Sequence, residues 1–147
     1  MTKDVLVSIS GAHVLEGDSS NVEVITSGSY YYKNGRHYVI YDEMIDGTGA
    51  IKNTIKIGNE AVDVIKSGIT RSHMTFEKQK TNISCYVTPY GQMMVGVNTN
   101  NIEVDESENK LLVKVDYTLD VNYEEMSRCR LVMDIQSKAM ADFHLGS

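Results

Sequence analysis

The sequence predicts an all-β protein in which about eight to ten antiparallel strands close into an up-and-down barrel. Apolar and polar residues alternate along long stretches, as between residues 111 and 121, and a period of two is typical of strands with one wet face. Turn signals such as Asn34-Gly35 separate these stretches. The composition, with one proline and nine tyrosines, suits half-buried strands.

Seven of the predicted strands follow a turn signal. The signals lie at residues 34–35, 46–47, 58–59, 67–68, 90–91 and 124–125, with a further polar stretch at 105–110. We therefore expect ten strands, which begin near Asp4, Asn21, Arg36, Ala50, Ala61, Ile69, Asn82, Gln92, Lys110 and Ser127.

Short connections favour a barrel over a sandwich, because closure removes the exposed edges that a long meander would leave. A sandwich is the alternative that this pattern leaves open. The length of 147 residues fits a single domain, so we treat residues 1–147 as one β-barrel domain.

Charge and motif content argue against several classes of function. The formal net charge of −6 argues against a nucleic-acid-binding protein and against docking on an anionic membrane. No apolar run approaches the roughly 20 residues of a membrane-spanning helix and no signal-peptide pattern is visible, so we expect a cytoplasmic protein. We expect no metal, no cofactor and no catalytic residue, because metal-ligand spacings and nucleophile or phosphate-binding motifs are missing from the sequence.

Several short segments, in this order and spacing, resemble an uncharacterised bacterial family, the YwiB-like proteins. The segments are YYKNG at 31–35, YVIYDE at 38–43, KSG at 66–68, MTFE at 74–77, YVTPYG at 86–91, Thr99, Ile102 and DYTL at 116–119. The resemblance covers most of the chain and implies a calycin-like (lipocalin-like) β-barrel with no assigned activity. Lys66 stands where the family pattern usually has arginine, so the resemblance implies no role here for a planar guanidinium.

Hairpin arithmetic assigns side chains to the inside of the barrel. A two-residue Asn34-Gly35 loop pairs Lys33 with Arg36, and the same register extended pairs Gly28 with Tyr41 and Thr26 with Glu43. Tyr41 and Glu43 are thereby predicted to face inward. Gly28 on this face would relieve crowding or permit a bend.

Two further turns extend the inner face. A Gly58-Asn59 turn pairs Ile57 with Glu60 and carries Lys66 inward, and a Tyr90-Gly91 turn pairs Tyr86 with Val95 and carries Thr99 inward. Tyr117 lies on the apolar face of its own strand. The candidate ligand-binding residues are therefore Tyr41, Glu43, Lys66, Tyr86, Thr99 and Tyr117.

The loop near Ser67-Gly68 leaves the face of the next strand open. A two-residue loop points Arg71 and His73 inward, whereas a three-residue loop points Met74 and Phe76 inward. We favour the second, because burying each apolar side chain contributes about 1.5–3 kcal/mol.

The leading functional expectation is a barrel that binds a small apolar or amphipathic molecule without catalysis. The alternative is a structural or regulatory protein-interaction module that could self-associate as a homodimer. Tyr31 and Tyr38 pair on the outer face, and aromatic residues are enriched at interfaces. A third hypothesis is an enzyme that uses an inner Glu43–Lys66 pair. We expect these two charges to meet, with Tyr41 or Tyr86 donating a hydrogen bond; the inert alternative is that both reach solvent at strand ends.

Overall fold

Ten antiparallel strands make up the fold seen in the computed structural model, which describes residues 3–13, 21–45, 49–68, 71–88 and 91–138. The strands are β1 (Asp4–His13), β2 (Asn21–Lys33), β3 (Arg36–Ile45), β4 (Gly49–Ile57), β5 (Ala61–Ser67), β6 (Ser72–Glu77), β7 (Thr81–Thr88), β8 (Gly91–Glu106), β9 (Lys110–Val121) and β10 (Glu124–Ser137).

The strands form one sheet that curls into a nearly closed barrel. Their order is β6-β5-β4-β3-β2-β1-β10-β9-β8-β7. Strands that are consecutive in sequence therefore pair with each other, except β6 and β7, which are the two ends of the sheet, and β1 pairs with β10. Backbone hydrogen bonds from Gln79 N to Thr99 O (2.9 Å) and from Thr99 N to Lys80 O (3.1 Å) bring the connection after β6 onto β8. The predicted all-β, antiparallel up-and-down barrel is therefore confirmed.

Alternate residues of the strands fill the interior. Because successive side chains point to opposite faces, most strands bury an apolar series and expose the intervening polar one, whereas in β7 Ile83 is 54% exposed. Each buried aliphatic or aromatic side chain contributes about 1.5–3 kcal/mol relative to an exposed one. The most deeply buried of these are Val5, Val7, Val39, Ile55, Ile57, Val62, Phe76, Val97, Leu111, Val113, Met133 and Ile135.

The Asn34-Gly35 hairpin forms as predicted, but its ladder is shorter than predicted. Asn34 (φ 54°) and Gly35 (φ 75°) make the turn, and Lys33 pairs with Arg36. The ladder ends at Ser29–Ile40, so the extended pairs of Gly28 with Tyr41 and of Thr26 with Glu43 are not part of it, although a Cβ atom built on Gly28 would lie 3.4 Å from Tyr41 Cβ. Before Ser29, β2 pairs with β1 instead.

Gly28 marks the place where β2 leaves β3. A Cβ atom built on Gly28 would lie 2.9 Å from the Ile40 carbonyl oxygen and 3.0 Å from Val7 Cγ2. These distances are shorter than van der Waals contact, so β1 and β3 approach β2 more closely here than any side chain would allow.

Two predicted registers are wrong by two residues. Ile57 pairs with Val62 rather than Glu60, because the turn holds four residues, 58–61, closed by a 2.9 Å bond from Gly58 N to Ala61 O. Tyr86 pairs with Met93 rather than Val95. Here Thr88 pairs with Gly91 rather than with Met93, so the ladder is displaced by two residues from the predicted register. A shift of two residues keeps every side chain on its predicted face.

The open question at residues 67–68 is resolved in favour of Met74 and Phe76 facing inward. Val64 pairs with Met74 and Val62 with Phe76, whose side chain is buried. Arg71 and His73 are exposed, and His73 Nε2 lies 2.9 Å from Asp63 Oδ1 on the outer surface. The connection spans residues 67–71, longer than either predicted loop, so β6 begins at Ser72 rather than near Ile69.

The tip of the last hairpin is also corrected. Residues Asn122 (φ 50°) and Tyr123 (φ 71°) form the turn, and Val121 pairs with Glu124, so the tip is not at residues 124–125. A two-residue hairpin turn of this kind needs positive φ at both positions, and asparagine adopts that conformation more readily than glutamate.

We expect Gly28→Ala to destabilise the protein, because the added methyl group would meet the backbone of β3 and the side chain of Val7. The expected loss is about 1–3 kcal/mol in the free energy of unfolding, measured by urea denaturation. Gly11→Ala is the matched control, because a Cβ atom there meets nothing within 4 Å. Equal stability of the two variants would contradict the close approach at Gly28.

Candidate functional site

A cluster of polar side chains lies on the inner face of three adjacent strands. Tyr41 of β3 pairs with Asn53 of β4, and Asn53 pairs in turn with Lys66 of β5. Glu43 follows Tyr41 by two positions and therefore shares its face. We call Tyr41, Glu43, Asn53 and Lys66 the polar cluster. It lies at the barrel end where β3 and β5 finish.

The predicted meeting of Glu43 and Lys66 is confirmed. Lys66 Nζ lies 3.0 Å from Glu43 Oε1, and the two side chains are 36% and 27% exposed. A fully buried pair costs about 3–5 kcal/mol to break, whereas an exposed pair contributes about 0–1 kcal/mol. With this exposure the pair belongs near the weaker limit, so its significance lies in the position of the two charges rather than in stability.

Asn53 supplies the second hydrogen bond to Glu43, a role that the sequence analysis assigned to a tyrosine. Its Nδ2 donates to Glu43 Oε1 over 2.9 Å, and the residue is 0% exposed. Asn53 was not predicted as a site residue, although it is the one polar residue in the inward series that includes Ile51, Ile55 and Ile57. That interruption was a usable signal, because a buried amide is costly without a partner.

Tyr41 lies beside this ion pair and is only 6% exposed. Burial, and then the negative charge of Glu43, raises the pKa of Tyr41 to about 12. Both effects disfavour the phenolate, so the hydroxyl keeps its proton at neutral pH and is available as a hydrogen-bond donor.

Three of the candidate residues line one cavity that is partly open to solvent. Tyr41, Lys66 and Tyr117 face a space of about 190 Å³, and the ring of Tyr117 packs edge-on against Phe76 with centroids 4.8 Å apart. Glu43 does not line this space, but its carboxylate contacts Lys66, which does. The remaining lining is Ile9, Ile55, Val64, Ser72, Met74, Phe76, Leu131 and Met133, mostly apolar.

Of the other two candidates, Thr99 lies apart from this cavity and the side chain of Tyr86 is outside the described residues. Thr99 is buried opposite Tyr117, next to a bulge in β8, and it is not part of the cavity lining. Within the described residues its Oγ1 has no hydrogen-bond partner. Tyr86 belongs to β7 and pairs with Met93, but its side chain lies outside the described residues.

A second buried polar group, also missed, lies at the opposite end of the barrel. Tyr30 Oη is 2.7 Å from His37 Nδ1, and His37 Nε2 is 3.5 Å from Glu106 Oε2. Burial, then Glu106 and Tyr32, raises the pKa of Tyr30. The hairpin register already placed Tyr30 and His37 on one inner face, but Glu106 comes from β8 and only the closed barrel brings it there.

The described residues contain neither a candidate metal site nor a candidate membrane-spanning helix. Among these residues no group of three His, Cys, Asp or Glu side chains is placed to hold a metal ion. No helix in the same ranges is both long and apolar enough to cross a membrane.

The raised pKa of Tyr41 predicts a loss of stability in alkali. The folded pKa of about 12 exceeds the ordinary value of 10.0, so the contribution is complete below pH 10 and is lost as pH rises toward 12. Between pH 9 and 11 we expect the wild type to lose about 1 kcal/mol more than Tyr41→Phe, measured by urea denaturation. Parallel pH profiles of the two proteins would contradict the raised pKa.

Comparison with known proteins agrees with this architecture. The chain is 28% identical over 128 residues to the uncharacterised β-barrel protein YwiB of Bacillus subtilis, covering 85% of this chain and 89% of that protein. The crystal structure of the ywiB protein from Bacillus subtilis superimposes with a TM-score of 0.79 at 21% identity, over 92% of both chains. The family model of a domain of unknown function, DUF1934, matches residues 7–133. The chain therefore belongs to the DUF1934 family of β-barrel proteins, whose function is unknown.

Proposed function

We propose that this protein is a cytoplasmic, non-catalytic, calycin-like barrel that binds a small molecule in its interior. The observation that carries the proposal is the cavity of about 190 Å³, in which Tyr41, Lys66 and Tyr117 face a mostly apolar wall. Ligand sites commonly have this composition, with an apolar lining and a few polar groups that orient the ligand. Lipocalin-type barrels hold a small ligand in the same place.

The size of the cavity restricts the ligand. An apolar cavity of about 150 Å³ is known to take up benzene, whereas drug-sized ligands occupy roughly 300–1,000 Å³. A space of about 190 Å³ therefore suits a single substituted ring or a short branched chain. Long-chain lipids are too large for it.

The lining also orients the ligand. Ile9, Leu131 and Met133 of β1 and β10 lie on one side, and Lys66 belongs to the polar cluster at the end of β5. An amphipathic ligand would bury its apolar part among the former and point its polar atom at Lys66. With so few atoms to bury, we expect dissociation constants in the range from about 10 μM to 1 mM.

We expect filling the cavity to abolish binding. Leu131→Phe adds bulk to the lining, whereas Val132→Phe places the same ring on the opposite face of β10 and serves as the matched control. The measurement is an NMR titration of each protein with toluene and benzamide. The wild type and Val132→Phe should bind, and Leu131→Phe should bind at least about ten-fold more weakly. Failure of the wild type to bind either probe, or undiminished binding by Leu131→Phe, would contradict the proposal.

Self-association is the second candidate function, and an aromatic pair on the outer face favours it. The rings of Tyr31 and Tyr38 stack with centroids 4.7 Å apart, and Tyr31 is 43% exposed. Tyrosine is enriched at protein interfaces, where its ring contributes contact area at low entropic cost.

Sedimentation equilibrium tests this candidate. If the Tyr31–Tyr38 face is a homodimer interface, the wild type should dimerise with increasing concentration and Tyr31→Ser should shift the equilibrium toward monomer. Tyr123→Ser removes a more exposed tyrosine from a different end of the barrel and should leave the equilibrium unchanged. A wild type that stays monomeric up to about 0.5 mM would remove the candidate.

A further inference from the structure

The charge at the mouth of the cavity is balanced from outside the cavity. Lys66 lines the space, and its Nζ lies 3.0 Å from Oε1 of Glu43, which is not part of the lining. Asn53 donates to the same oxygen over 2.9 Å and is fully buried, so it holds the carboxylate against the ammonium group. An incoming ligand therefore meets an ammonium group whose charge is already neutralised.

This arrangement disfavours charged ligands of either sign. A ligand carboxylate at Lys66 would lie within a few ångströms of the Glu43 carboxylate, and like charges at that distance repel. A ligand ammonium group would lie nearer to Lys66, which lines the cavity and has the same sign of charge, than to Glu43, which does not line it. Repulsion of the wrong ligand is a common source of specificity in binding sites.

Hydrogen-bond donors are available to an uncharged ligand that carries an acceptor atom. An ammonium group has three N–H donors, and the Glu43 bond uses one of those on Lys66. Tyr41, whose hydroxyl keeps its proton at neutral pH, also lines the cavity. Donors therefore point into the space while its net charge is close to zero.

We infer that the cavity selects a small uncharged compound with one hydrogen-bond-accepting oxygen, and that Glu43 sets this preference by neutralising Lys66. The inference rests on the proposed function, because it assumes that the cavity is a ligand site. Glu43 acts on the ligand through Lys66 and is thus a positioning residue.

The test compares three probes of nearly equal size, namely benzamide, benzoate and benzylammonium, by NMR titration at pH 7. The wild type should prefer benzamide. Glu43→Gln should bind benzoate at least about ten-fold more tightly than the wild type does, because Lys66 is then uncompensated. Glu60→Gln is the matched control: it removes the same charge from an exposed turn at the other end of the barrel and should leave benzoate binding unchanged.

A second variant keeps the test decisive if Glu43→Gln does not fold. Lys66→Met leaves Glu43 as the charge beside the cavity, so it should gain benzylammonium binding and not benzoate binding. Benzoate bound by the wild type as tightly as benzamide, or charge variants that do not change the preference, would overturn the inference alone. Absence of binding by the wild type to every neutral probe would overturn the proposed function as well.

Discussion

The ladder between β1 and β10 is the constraint on which the rest of the structure depends. It runs from Val5–Ser137 to His13–Cys129 and joins strands from opposite ends of the described chain. Without it, β1–β6 and β7–β10 would be two separate meanders, each with an additional open edge and an apolar face exposed to water. Because Val5, Val7, Met133 and Ile135 are all fully buried along this ladder, joining the two meanders also completes the core.

Closure has a chemical consequence for the interior. A barrel of this size buries nearly every inward side chain, so each inward polar group must find a partner within the wall. Glu43 contacts Asn53 on β4 and Lys66 on β5. His37 contacts Tyr30 on β2 and Glu106 on β8. The two solutions differ in access: Lys66 faces a cavity of about 190 Å³, and this is what makes the first cluster the candidate site.

Much of the fold was predictable from the sequence because side-chain alternation in a strand tolerates errors of two residues. The registers at residues 58–61 and 89–90 were both misplaced by two, yet Lys66 and Thr99 still lay on the predicted inner faces. The Asn34-Gly35 turn was predictable in detail, because its conformation depends on two residues only. Loop lengths elsewhere depend on how neighbouring strands meet, which local sequence does not encode.

The candidate site was predictable only in part, for the same reason. Side-chain alternation along each strand placed Tyr41, Glu43, Lys66 and Tyr117 inward. Alternation does not say which strands lie side by side around the barrel. Asn53 was not predicted, although it pairs with Tyr41 on one side and with Lys66 on the other and is therefore central to the cluster. Glu106 was out of reach, because only closure of the barrel carries β8 to His37.

The positions of β6 and β7 at the two ends of the sheet make the strand order a rotation of the chain order. If the chain were opened in the turn at residues 78–80 and β10 were reconnected to β1, the strands would read β7 to β10 and then β1 to β6. Every ladder would then join strands adjacent in sequence, and the loop closure that the β1–β10 pairing demands would become a local event. A circular permutant of this kind would have a much lower contact order with the same wall, so in the natural connectivity the cost of bringing distant segments together falls almost wholly on one ladder.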